Sequence, residues 1–304
     1  MRARLGINTC FAAKRWPLPH DWAQIVRYDI GVDIVELSLD LVPDIGNPEQ
    51  RARAADQTLG ALTRYGLRAE TTFTGLAAYC DNLLMHPDAE RRHAALEWYL
   101  AVVDLTARLG ARGTGGHVGA VSVADWSEPG RRAERWSGLR ADLAEITGRA
   151  REAGLDYVLV ENLASAREPS TMAGVESLLT DGDAAHVPIR LCLDVGHQCV
   201  PGTTGADRDP YAWLQRFGSR LGEVQLQQSD GLADHHWPFT AERNRAGRID
   251  PGRVLDTLAD SGAGDVLLIL EVIPAFEEDD DQVIRDLRES AAHWTAAMSE
   301  RGLR

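Results

Sequence analysis

The chain has 304 residues and a formal charge of −14, with 46 acidic against 32 basic side chains. Such a field repels phosphate backbones, and no basic run flanked by aromatics interrupts it, which argues against a nucleic-acid partner. No apolar stretch reaches bilayer-spanning length, and the sparse cysteines (Cys10, Cys80, Cys192 and Cys199) suit neither a disulfide framework nor a close zinc pair, so a protein of the reducing cytoplasm with no membrane contact is expected.

Apolar strand-like runs alternate with amphipathic segments, the pattern of βα units around a parallel sheet. The first strand is predicted near residues 4–10 and the second near 33–39, where Glu36 ends the apolar core and reads equally as a site residue or an ordinary strand polar residue. A helix over 48–65 and a third strand near 68–74 follow, then a helix over 89–109 and a fourth strand near 113–118. That strand ends in His117, flanked by glycines that permit close backbone approach, which makes it a site candidate.

A helix over 131–153 leads to the fifth strand near 156–161, ending in Glu161 and Asn162. Pro169 is expected to open a helix, so Glu168 is either its cap or a carboxylate reaching back to a substrate hydroxyl. The sixth strand near 188–194 ends in Asp194, with His197 three residues on. A helix over 210–221 precedes the seventh strand near 223–228, which carries Gln225 and runs into a polar loop dense in histidine and glutamine. Long loops of this kind usually serve function. Of His235 and His236, the second is expected inward, on the side it shares with Asp234 in extended backbone. A helix over 251–259, an eighth strand near 265–271 ending in Glu271, and a helix over 279–298 complete the chain. The acidic run from Glu277 to Asp281 reads as the solvated start of that last helix.

Eight strand–helix pairs in this length predict a single α/β domain over 1–304, a (β/α)8 TIM barrel. In such a barrel every strand opens its C-terminal end onto one face. Glu161, Asp194, Gln225 and Glu271, each ending an apolar run, then converge there as oxygen donors for one divalent cation.

The chain resembles the xylose-isomerase-like TIM barrels, which include sugar isomerases, ketose 3-epimerases, inosose dehydratases and endonuclease IV. The motifs that carry the resemblance are ENL at Glu161, LDVGH at Asp194 and His197, VQLQQSDG around Gln225, and LILE at Glu271. The resemblance implies a metal held by Glu161, Asp194, the seventh-strand residue and Glu271, with the two glutamates doubling as acid and base. The family places histidine on the seventh strand, whereas this chain has Gln225, a harder donor that favours manganese or magnesium over cobalt or zinc. The DHH at 234–236 is similar to an endonuclease IV element that, with the LDVGH histidine, holds an additional zinc. The third strand, AETTFTG, lacks the histidine that enzyme also needs.

The implied activity is metal-dependent isomerisation or epimerisation of a small ketose or ketose phosphate through an enediolate, in a branch that includes four-carbon polyol catabolism. His117, His197, His236 and Glu168 are expected to contact the sugar, and Arg245, with Thr240 and Asn244, to grip a terminal phosphate. A lyase or dehydratase acting on a cyclic polyol is the alternative, with a phosphodiesterase behind it. A homodimer or homotetramer fits the resemblance.

Overall fold

The computed structural model describes residues 1–303. Its sheet comprises β1 (Arg2–Asn8), β2 (Ile34–Ser38), β3 (Arg68–Phe73), β4 (Gly113–Gly116), β5 (Tyr157–Glu161), β6 (Ile189–Asp194), β7 (Leu221–Leu226) and β8 (Asp265–Leu270). The strands pair in sequence order, all parallel, and β8 returns to β1 with Arg2 opposite Asp265 and Ile7 opposite Leu270. The barrel is therefore closed and has no edge strand to protect.

The outer helices are α1 (Pro19–Gln24), α2 (Pro48–Tyr65), α3 (Ala89–Leu109), α4 (Val123–Ser127), α5 (Pro129–Ala153), α6 (Met172–Glu176), α7 (Pro210–Phe217), α8 (Ala241–Ala246), α9 (Pro251–Asp260) and α10 (Asp280–Glu300). Local chemistry sets the ends of the long ones. In α2, Pro48 occupies the first turn, the Asn47 side chain accepts from the Glu49 and Gln50 amides, and Gly66 stops the helix at φ 64°. The acidic run before α10 behaves as its composition suggests, with Asp279 capping through the Gln282 amide.

Three expectations shift. The helix expected at Pro169 begins at Met172, because Thr171 accepts from the Gly174 amide and takes the cap position. Glu168 is therefore not a cap. The predicted first strand runs to residue 10, but β1 stops at Asn8, whose side chain accepts from the Cys10 amide and turns the chain. The predicted helix 210–221 ends at Phe217, followed by a 3-10 turn (Gly218–Arg220) and β7 from Leu221.

Strand side chains alternate between two environments. Val35, Leu37, Val158, Val160, Leu191, Leu193, Val224, Leu226, Leu268 and Leu270 join the large core between sheet and helices. The opposite parity points into the barrel, where Ile34, Leu267 and Ile269 pack together, as do Phe73, Tyr157, Leu159 and Cys192. Glycine makes room for these inner layers: a Cβ on Gly6 would sit 2.8 Å from Ile34 Cγ2 and 2.9 Å from Ile269 Cδ1. Continuing the inward parity toward the strand tips gives Asn8, Glu36, Glu161, Asp194, Gln225 and Glu271, all 0 % exposed. One period-two rule thus gives the lower barrel mostly apolar side chains, with Thr71 and Glu223 hydrogen-bonded among them, and the mouth polar ones.

Candidate active site

Three of the four strand-tip donors come together, and the fourth stands beside them on the ladder. One carboxylate oxygen from each of Glu161, Asp194 and Glu271 lies within 4.8 Å of the others. Gln225 stands directly across the β6–β7 ladder from Asp194.

Each of the four has one end held and the other free. Glu161 Oε1 accepts from the Tyr79 hydroxyl at 3.0 Å, while Oε2 has no hydrogen-bond partner. Asp194 Oδ1 accepts from the Gly196 amide at 2.6 Å, the His197 amide at 3.1 Å and Gln227 Nε2 at 3.0 Å, and Oδ2 accepts nothing. Glu271 Oε1 accepts from Asn8 Nδ2 at 3.1 Å, leaving Oε2 with no hydrogen bond and His236 Nδ1 3.6 Å away. Gln225 Nε2 donates to Glu36 Oε2 at 3.0 Å, and its carbonyl Oε1 is likewise unpartnered. An unpaired buried acceptor costs about 1–3 kcal/mol, and folded proteins seldom keep several together without a ligand. This donor set, three carboxylates and an amide oxygen, suits a hard divalent cation.

Burial, with the Glu161 and Asp194 charges added, pushes the Glu271 carboxyl well above the usual carboxylate range. Burial also raises Glu161, against the pull of His197. A divalent cation among these groups opposes both effects by favouring the charged forms.

A second cluster adjoins the first, with Asp194, His197 and His236 offering atoms within 4.8 Å of one another. His197 Nδ1 donates to the Asn162 carbonyl at 2.7 Å and its Nε2 lies 3.3 Å from Asp234. His236 Nε2 lies 3.1 Å from the same carboxylate. Burial opposes charge on Asp234, but the two imidazoles overrule it and hold its carboxyl far below the ordinary range. His236 is the inward member of its pair, yet not through extended backbone: at φ 47° it is left-handed, and its amide donates to Gln227 Oε1 at 2.6 Å. His235 turns outward, 3.1 Å from Asp230 and stacked on Trp237.

His117 is buried at the β4 tip. Its Nδ1 accepts from the Gly119 amide, and Nε2 makes no hydrogen bond but lies 3.3 Å from Glu168 Oε1. Glu168 also accepts from the Ser165 amide, which fixes it beside His117 over the mouth. Arg245 is exposed on α8, and no hydrogen bond or ion pair among the described residues brings it to the cluster. Its expected companions are engaged elsewhere, since Thr240 caps α8 and Asn244 joins Gln228 and the Phe239 carbonyl. A cavity of about 790 Å³ opens from His236 and Val272 along α10, and Glu242, Glu278, Asp286 and Glu289 line it against the single cation Arg243. An acidic wall of that kind does not favour phosphate.

Three side chains at the site escape a sequence reading. Tyr79 arrives from the turn after β3 and sets its ring edge-on to His117, with centroids 5.0 Å apart. Gln227 ties Asp194 to Asp234, and a Cβ on Gly196 would collide with it. Asn8 bridges Glu36 and Glu271. A tyrosine in a loop carries no signal of its own, but Asn8 and Gln227 fall on the inward parity of β1 and β7.

The family model described as a xylose isomerase-like TIM barrel matches residues 26–295. The chain belongs to that family. It is 29 % identical over 298 residues to a D-erythrulose 1-phosphate 3-epimerase of Brucella abortus (strain 2308), covering 97 % of this chain and 96 % of the relative. Among solved structures, a Rhodospirillum rubrum protein provisionally called a xylose isomerase is 32 % identical with TM-score 0.86, covering 97 % of this chain and 99 % of the other. D-psicose 3-epimerase from Clostridium cellulolyticum H10, solved with D-tagatose, shares the fold at TM-score 0.62 and 17 % identity, covering 98 % and 97 % of the two chains.

Proposed function

We propose that this protein is a divalent-metal-dependent epimerase that inverts the carbon beside the carbonyl of a small ketose or ketose phosphate. The observation that carries the reading is the set of four buried, unpartnered oxygens on Glu161, Asp194, Gln225 and Glu271. These residues would hold the cation, with manganese or magnesium preferred by the oxygen-only donor set. When bound, the cation polarises the substrate carbonyl and neighbouring hydroxyl and stabilises negative charge developing on them.

The protein's own groups supply the proton transfers. Glu161 and Glu271 stand on β5 and β8, with two strands between them, and so approach a bound sugar from different sides of the mouth. One carboxylate takes the proton from the carbon beside the carbonyl, and the other returns a proton to the opposite face. Tyr79 fixes Glu161 through Oε1, and Asn8 fixes Glu271 in the same way. His197, His236 and the His117–Glu168 pair line the mouth where sugar hydroxyls would be gripped.

The Brucella relative makes D-erythrulose 1-phosphate the first substrate to test. Incubation with manganese-loaded protein should carry its optical rotation toward zero as the C3 epimer accumulates. A stable rotation across a panel of four- to six-carbon ketoses and their phosphates contradicts the reading, and a product lighter by one water indicates a dehydratase instead.

A further inference from the structure

We infer that Glu36 is a positioning residue that decides which end of the Gln225 amide faces the strand-tip carboxylates, and that this contact lets glutamine serve at the cation site. The inference rests on the proposed cation reading of that site. An amide presents a carbonyl oxygen at one end and two N–H donors at the other, with nearly the same shape. Rotated one way, Gln225 offers its oxygen to a cation. Rotated the other way, it donates to the carboxylates and sets partial positive charge where the cation belongs. Nothing in the β7 backbone separates the two states.

Glu36 separates them. It lies on the inward face of β2, 0 % exposed, and its Oε2 accepts from Gln225 Nε2 at 3.0 Å. That oxygen also accepts from Asn8, and an oxygen taking two N–H donors has no room for a proton of its own, so it stays an acceptor, the NH2 end of Gln225 is drawn to it and the carbonyl is turned away. Asn8 strengthens the arrangement by donating to the same Oε2 at 2.6 Å and to Glu271 Oε1 at 3.1 Å, its own flip fixed by the Cys10 amide on Oδ1. One carboxylate thereby orients side chains that reach two of the four proposed ligands. Glu223, itself held by Thr71 Oγ1 at 2.9 Å, lies within 4.8 Å of Glu36.

The test is calorimetric titration of the full-length, metal-stripped protein with manganese chloride, with urea unfolding to confirm that each variant is folded. Glu36→Gln keeps a carbonyl acceptor and should stay within about threefold of wild-type affinity. Glu36→Met removes the acceptor and should weaken binding by about 10–100-fold, the usual effect of losing a partner that orients a ligand. Glu36→Asp keeps the carboxyl group but falls a methylene short of Gln225, and should lose about tenfold, so the inference stays testable if Glu36→Met does not fold. Gln225→Met should lose affinity by itself, and adding Glu36→Met to it should change little further, because the Gln225 amide is gone and Asn8 keeps its orientation from the Cys10 amide.

Wild-type affinity in Glu36→Met or Glu36→Asp overturns the inference, as do losses that multiply in the double variant. Those outcomes leave the cation reading intact. Wild-type protein that takes up no manganese overturns both.

Discussion

At the scale of single residues, the proposed reaction divides the strand-tip acids into groups that hold a cation and groups that also move protons, and substitutions should separate the two roles. Glu271→Gln preserves shape but cannot carry the proton, so turnover should fall by about 10²–10⁴-fold, the usual share of general acid–base catalysis, while steady-state KM changes little. A near-wild-type rate would return Glu271 to a structural role. Asp194→Asn should act first on the metal: Oδ1 already accepts three hydrogen bonds, and the amide replaces either that acceptor or the free oxygen. Manganese affinity measured by titration should drop before the rate at saturating metal does. Gln225→His introduces the softer imidazole donor and should shift metal preference toward zinc or cobalt with activity retained. An unchanged ranking among manganese, magnesium, cobalt and zinc would remove Gln225 from the ligand set.

At the scale of elements, the sequence is most legible where periodicity runs long. The helices α2 and α3 begin and end where proline, asparagine, aspartate and glycine place them, and each of the eight strands overlaps the segment predicted for it. The short helices α1, α4, α6 and α8 have five or six residues each, too few turns for an apolar face to repeat. The meeting of Glu161, Asp194 and Glu271 is legible because a parallel barrel aligns strand ends, whereas Tyr79 and the inward turn of His236 depend on loop conformations that no local pattern encodes. His236 faces inward through a left-handed backbone and a bond to Gln227, where alternation along an extended chain gives the right side for another reason. Arg245 shows the limit of placing a residue by loop alone, since α8 carries it to the surface.

The loop after β6 offers a test at this scale. Gly196 leaves the space that Gln227 occupies between Asp194 and Asp234. Gly196→Ala should push Gln227 aside and weaken manganese binding by about tenfold, as other losses of an orienting partner do, while the urea midpoint moves little. Unchanged affinity would mean that the backbone amides alone suffice to orient Asp194.

For the molecule as a whole, the acidic charge, the closed barrel and the polar mouth belong to one arrangement: a rigid, mostly apolar lower barrel supports a cluster of buried acids that the fold tolerates only with a cation or protons among them. Among the described residues no helix is long and apolar enough to cross a membrane. In the proposed reaction Glu161, at the end of β5, and Glu271, just after β8, exchange a carbon-bound proton with the help of that cation. This exchange is tested most directly by incubating manganese-loaded protein with ketoses and ketose phosphates in deuterium oxide and following the carbon beside the carbonyl by NMR. Because the proton returned is not the proton taken, deuterium should appear at that carbon in the epimer formed, and incorporation should stop when the metal is stripped. Epimer that accumulates with no deuterium at that position, or at an undiminished rate in metal-free protein, would contradict the account.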